Sequence, residues 1–121
     1  MSESGAQVAL RLLASRSGAR LWRNNVGAGY LKDGTFCRWG LANESRQQNL
    51  VLKSGDLIGI RPVLITPDMV GTYIGRFVSR EVKHPGWHYH PNDPHEQAQQ
   101  AWADLVTSLG GDAGFSTGEW K

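Results

Sequence analysis

At 121 residues, with 40% hydrophobic and 20% charged side chains, the chain is long enough to bury a core without staples and reads as one domain over 1–121. Its formal charge of +2 permits nucleic acid as a partner without demanding it, so a phosphate-binding surface has to come from local clusters of Arg and Lys. The single cysteine, Cys37, excludes an intramolecular disulfide framework and fits a reducing cytoplasm; no signal peptide or membrane span is expected.

Residues 4 to 15 predict a helix, with Ala6, Ala9, Leu10 and Leu13 on its buried face and Ser4 and Gln7 spaced as a capping box. Glu3, one turn back, is either a third acid aimed at a site or an N-terminal residue favouring the helix dipole. Ser17-Gly18 ends this helix, and residues 19 to 23 alternate as a strand. The Gly- and Asn-rich run 24 to 29 reads as a hairpin loop or as a turn that lets a ligand approach closely, which makes Arg23, Asn24 and Asn25 candidate phosphate contacts. Asp33-Gly34 signals a turn into a strand over 36 to 41, and polar residues 43 to 49 read as an exposed connection.

Between 56 and 65 two apolar runs flank Arg61-Pro62, giving two strands or one kinked edge strand. Residues 66 to 71 form a turn, and 76 to 83 a strand with Phe77, Ser79, Glu81 and Lys83 on one face. Arg76 and Arg80 on this strand are the later basic candidates. Residues 84 to 95 hold all four histidines, His84, His88, His90 and His95. They match no structural zinc spacing, so a loop over the site with Trp87 and Tyr89 free to brace a nucleic-acid strand is the preferred reading, and a zinc site the alternative. Asp93-Pro94-His95-Glu96 combines an N-cap aspartate, an N1 proline and a capping-box glutamate. The helix it opens carries Ala98, Ala101, Trp102, Leu105, Val106 and Leu109 on its apolar face and Gln99 beside it, ends at Gly110-Gly111, and is followed by a short strand near 113 to 116. This order describes an α/β fold, a mixed β-sheet flanked by helices.

The chemistry centres on Glu81 and Lys83, side by side on one strand face. If Asp56 meets Glu81, two carboxylates can hold a hard divalent cation while Lys83 orients an attacking water, which is equipment for hydrolysing a phosphodiester. The plainer alternative is an exposed salt bridge at a strand end.

Read together, Glu3, Arg23-Asn24-Asn25-Val26-Gly27, Ser54-Gly55-Asp56-Leu57-Ile58-Gly59, Glu81-Val82-Lys83 and Gln99-Gln100-Ala101-Trp102 before Gly110-Gly111 resemble the virus-type replication-repair nuclease domain, a compact branch of the PD-(D/E)xK nucleases. The likeness spans nearly the whole chain, with Gly55 where the family commonly has proline or another small residue. It implies a restriction-endonuclease-like core. Asp56, Glu81, Glu3 and the Val82 carbonyl would hold Mg2+ or Mn2+, with Lys83 as the catalytic lysine and Gln99 as a helix-borne site residue. Stand-alone relatives imply a homodimer acting on branched DNA such as four-way junctions. The rival from another class is a non-catalytic DNA-binding or architectural module.

Overall fold

The computed structural model describes residues 2–120, and the chain divides into two compact units, Met1–Gly59 and Ile60–Lys121. The first unit opens with α1 (Glu3–Arg16), capped by Ser2, whose hydroxyl accepts from the Gly5 amide at 3.0 Å. The expected Ser4 cap is displaced because Ser2 already stands extended three residues before Gly5, which leaves Ser4 inside the first turn. The expected apolar face is not the covered one either: Leu10 and Leu13 are exposed. Gly5, Gln7, Ala9, Arg11 and Ala14 are the half-covered residues, Ala9 alone of the expected face among them, and Arg11 Nε donates to the Leu21 carbonyl at 3.2 Å in β1 (Arg20–Arg23). Polar anchoring, rather than apolar periodicity, therefore orients α1.

The helix ends in a Schellman motif, Gly18 at φ 85 with its amide on Ser15 and the Ala19 amide on Ala14. β2 (Gly27–Tyr30) and β3 (Phe36–Trp39) form an antiparallel hairpin, so half of the run expected as a loop is strand. Its turn is the expected Asp33-Gly34 pair, with Asp33 Oδ1 accepting from the Thr35 amide at 2.9 Å. Gly27 is required by Trp39, since a Cβ there would come within 2.4 Å of the indole ring. On the side to which a Cβ would point, the space at Gly27 is thus filled by a side chain of the same hairpin.

Residues 43 to 49 are not simply an exposed connection. Asn43 is buried, and α2 (Arg46–Val51) starts at Ser45, whose hydroxyl accepts from the Gln48 amide while Gln48 Oε1 accepts from the Glu44 amide. β4 (Leu57–Ile60) pairs with β1, and Gly59 admits no side chain because its Cβ would meet the Arg20 carbonyl oxygen.

In the second unit, residues 61–77 have no strand; a 3-10 turn at Pro67–Met69 is their one regular piece among the described residues. Val63, Leu64 and Ile65, expected as a second strand or a kinked extension, are exposed. β5 (Val78–Val82) and β6 (Asp112–Ser116) then run parallel in the register Val78↔Asp112 to Val82↔Ser116, joined through α3 (Pro94–Ser108). α3 packs on this ladder with Ala103 and the wholly buried Val106, and its C-terminus repeats the Schellman motif through Gly110 and Gly111.

Among the described residues the chain is therefore a mixed α/β protein with three α-helices and small antiparallel and parallel ladders. Three two-stranded ladders stand where one mixed sheet was expected. No described helix is long and apolar enough to cross a membrane.

Candidate functional site

The end of β5 gathers the second unit's polar chemistry. Alternation along the strand turns Ser79 and Lys83 to one face, and both bond to α3 side chains: Ser79 Oγ accepts from Trp102 Nε1 at 2.9 Å, and Lys83 Nζ donates to Gln99 Oε1 at 2.9 Å. The Lys83 amide donates to the Ser116 carbonyl at 2.8 Å and so carries the ladder one residue past β5. Lys83 Nζ also lies 3.8 Å from Glu81 Oε1; the lysine side chain is 16% exposed and the glutamate 45%. The expected Glu81, Lys83 and Gln99 thus form one contiguous group. The lysine is half-enclosed, with its ammonium 5.7 Å from the Trp87 ring centre and 5.9 Å from that of Phe115.

Trp87 and Tyr89 were expected to be free to brace nucleic acid. Both pack instead on Phe115 of β6, with ring centres 4.7 and 6.0 Å away, although Tyr89 keeps an exposed edge. The loop is also tied to α3 by Glu96, which the capping-box spacing had assigned to the helix start. Its buried carboxylate accepts from the His90 amide at 2.8 Å, pairs with His90 Nδ1 at 2.9 Å, and accepts from Trp87 Nε1 at 3.3 Å. Burial pushes the Glu96 pKa up, but the bonds from His90 and Trp87 and the imidazole charge outweigh it, so the carboxyl sits below its ordinary value. Sequence reasoning missed this residue because a glutamate three places after an N-cap has an obvious local role. Asp93 alone makes the cap here, accepting from the His95 amide.

The histidines take separate partners: His84 Nδ1 the Pro85 carbonyl, His90 Glu96, and His95 Nε2 the Gln99 amide at 3.2 Å. Two of the expected basic residues are engaged internally. Arg76 donates to the Gly110 and Gly111 carbonyls at the α3 C-terminus. Arg80, on the strand face opposite Lys83, pairs with Asp112 Oδ2 at 3.0 Å and donates to the Asp112 carbonyl; the guanidinium bond is the main reason the Asp112 carboxyl lies below its ordinary value.

In the first unit, Asn24 braces the aspartate turn. Its side-chain amide donates to Ser54 Oγ and to the Gly55 carbonyl, both at 2.8 Å, and its backbone amide to the Asp56 carbonyl at 2.9 Å. Asp56 is exposed just before β4, Glu3 is exposed on the first turn of α1, and Arg23 at the end of β1 and Asn25 after it are exposed. Oxygen donors of this kind suit Mg2+ or Mn2+. Among the described residues, neither unit by itself assembles three His, Cys, Asp or Glu side chains into a group able to hold a metal ion.

Fold and site together define an α/β protein with a carboxylate, lysine and glutamine cluster at the end of a parallel strand. No protein-family model, curated protein or solved structure matches the chain.

Proposed function

We propose that the chain is a Mg2+- or Mn2+-dependent endonuclease with a restriction-endonuclease-like core, acting as a homodimer on branched DNA, four-way junctions among them. The observation that carries this reading is the meeting of Glu81, Lys83 and Gln99, drawn from two separate stretches of sequence, with Lys83 Nζ 2.9 Å from Gln99 Oε1 and 3.8 Å from Glu81 Oε1. A held ammonium beside a half-exposed carboxylate suits a phosphodiester: the lysine can bond the phosphate oxygen on which charge develops, and the carboxylate can ligate a cation. The cation, when bound, supplies a more acidic water and neutralises phosphate charge. Asp56, Glu3 and the Val82 carbonyl are further ligand positions carried over from the resemblance, and Arg23, Asn24, Asn25, Arg76 and Arg80 are the DNA-contact candidates read from the basic residues and the Gly- and Asn-rich turn. The internal bonds of Asn24, Arg76 and Arg80 make exposed Arg23 and Asn25 the first of these to test. Symmetric resolution of a junction requires two hydrolytic sites related by a two-fold axis, hence the dimer. The free thiol of Cys37 agrees with a cytoplasmic setting.

The test is incision of labelled four-way junction, flap and linear duplex DNA with Mg2+ or Mn2+, natural chain against Lys83→Ala. Metal-dependent incision of branched DNA that disappears in the variant is expected. Binding of the same DNA without incision by either protein would transfer the assignment to a non-catalytic architectural module. Stoichiometric zinc retained through chelation would transfer it to a zinc protein.

A further inference from the structure

A second polar cluster lies wholly in the first unit, and its two cationic residues have no role in the nuclease reading. A cavity of about 330 Å³ opens between the β2–β3 hairpin and the end of α2, and two cationic side chains, Arg38 and Lys53, line it. Each is held in advance. Arg38 Nη1 donates to Asn43 Oδ1 at 3.1 Å, and its guanidinium stands 5.4 Å from the Phe36 ring centre. Asn43 is buried, 4% exposed, and its amide donates to the Gly27 and Trp39 carbonyls at 2.7 and 3.0 Å, which leaves its oxygen to fix the arginine. Lys53 Nζ donates to the backbone and side-chain oxygens of Asn49 at 2.9 and 2.6 Å.

A guanidinium has five N–H donors and an ammonium three, so both cations retain donors after these bonds. None of the residues lining the cavity is acidic. Two like charges thus line one space to which no lining residue brings a counter-charge, an arrangement that an anion relieves. The volume is too large for an inorganic phosphate alone and falls at the lower end of small-molecule sites, which run from about 300 to 1,000 Å³. Val26 and Ala28 give the wall an apolar part for an uncharged portion of the ligand. A planar arginine fork beside a point-charge lysine is the donor set that phosphate oxygens accept from most strongly.

We infer that this cavity binds a phosphate ester of single-nucleotide size, either a free nucleotide or the phosphorylated end of a DNA strand. The inference does not depend on metal-dependent incision and is tested with chelator present, so its failure and that of the nuclease reading are separable.

The experiment is calorimetric titration of the full chain with adenosine 5′-monophosphate, with adenosine, and with a short single-stranded oligonucleotide with or without a 5′-phosphate, at low and physiological salt. Expected is saturable binding of the monophosphate with Kd near or below about 1 mM, weakened by salt, and no binding of adenosine. Lys53→Met and Arg38→Gln each remove one charge-assisted hydrogen bond to the phosphate and should weaken binding by roughly tenfold. Lys53 is exposed, so Lys53→Met keeps the test valid if Arg38→Gln disturbs the Asn43 anchor. Tight binding of the 5′-phosphorylated oligonucleotide that disappears when the phosphate is removed assigns the site to DNA ends. Binding of the mononucleotide alone assigns it to a free nucleotide. Equal affinity for adenosine and its monophosphate, absence of saturable binding by any phosphorylated probe, or affinity unchanged by Lys53→Met overturns the inference.

Discussion

Replacing Gln99 by alanine isolates the side-chain hydrogen bond that orients the proposed catalytic lysine. The Lys83–Gln99 hydrogen bond is charge-assisted, 2.9 Å long, and belongs to a side chain only 16% exposed. Such bonds contribute about 1.5–3 kcal/mol; the lower end applies here because the freed ammonium can turn to water, and about 1.5 kcal/mol of weaker positioning is roughly a tenfold fall in rate. Lys83→Ala removes the charge itself and should cost about 10²- to 10³-fold. If Gln99 works through Lys83, the effects are not additive, and Lys83→Ala with Gln99→Ala incises no more slowly than Lys83→Ala alone. The assay is single-turnover incision of a labelled four-way junction at saturating Mg2+, with thermal melts alongside. A merely structural glutamine would lower the melting temperature without this non-additivity. A double variant slower by the full product of the single effects, or Gln99→Ala within about twofold of the natural chain, would refute the positioning role.

Three further outcomes follow from the packing and the charges. Gly59→Ala places a Cβ 1.8 Å from the Arg20 carbonyl oxygen, a backbone atom that no rotamer change can move, so the first unit should lose about 3 kcal/mol or fail to fold by circular dichroism. Val106→Ala removes two methyl groups from the one wholly buried large side chain among the described residues and should cost about 2 kcal/mol in a denaturant melt; an unchanged midpoint would mean the α3 packing is wrong. Glu96, held below its ordinary value of 4.5 against the opposing effect of burial, stabilises the fold fully above about pH 4.5 and loses that contribution as pH falls through its lower folded pKa. The natural chain should therefore lose stability on acidification through that window, with Trp87 fluorescence following, while Glu96→Gln starts less stable and shows a flatter profile; parallel profiles would contradict the assignment.

Local chemistry was the legible part of this chain. Capping and termination depend on residues three to six apart, so the C-terminal ends of α1 and α3, the Asp33-Gly34 turn and the Asp93 cap follow from neighbours alone. Strand alternation likewise sufficed to put Ser79, Glu81 and Lys83 on one face, and helical spacing put Gln99 and Trp102 within one turn of each other. The Ser45 and Gln48 start of α2 is as local and still escaped notice, because a polar run resembles a loop when its caps are not sought.

Partner choice across long separations was decided only by tertiary structure. Periodicity marks which residues share a face but not what covers it, so Arg11 rather than Leu10 and Leu13 anchors α1, and the Trp39 ring occupies the Cβ side of Gly27. Arg76 and Arg80 looked in sequence like free cations; the return of β6 beside β5 brings them the α3 carbonyls and Asp112. Glu96 had two possible roles, and burial beside His90 and Trp87 selected the non-local one, because a desolvated carboxylate needs more donors than a helix start provides.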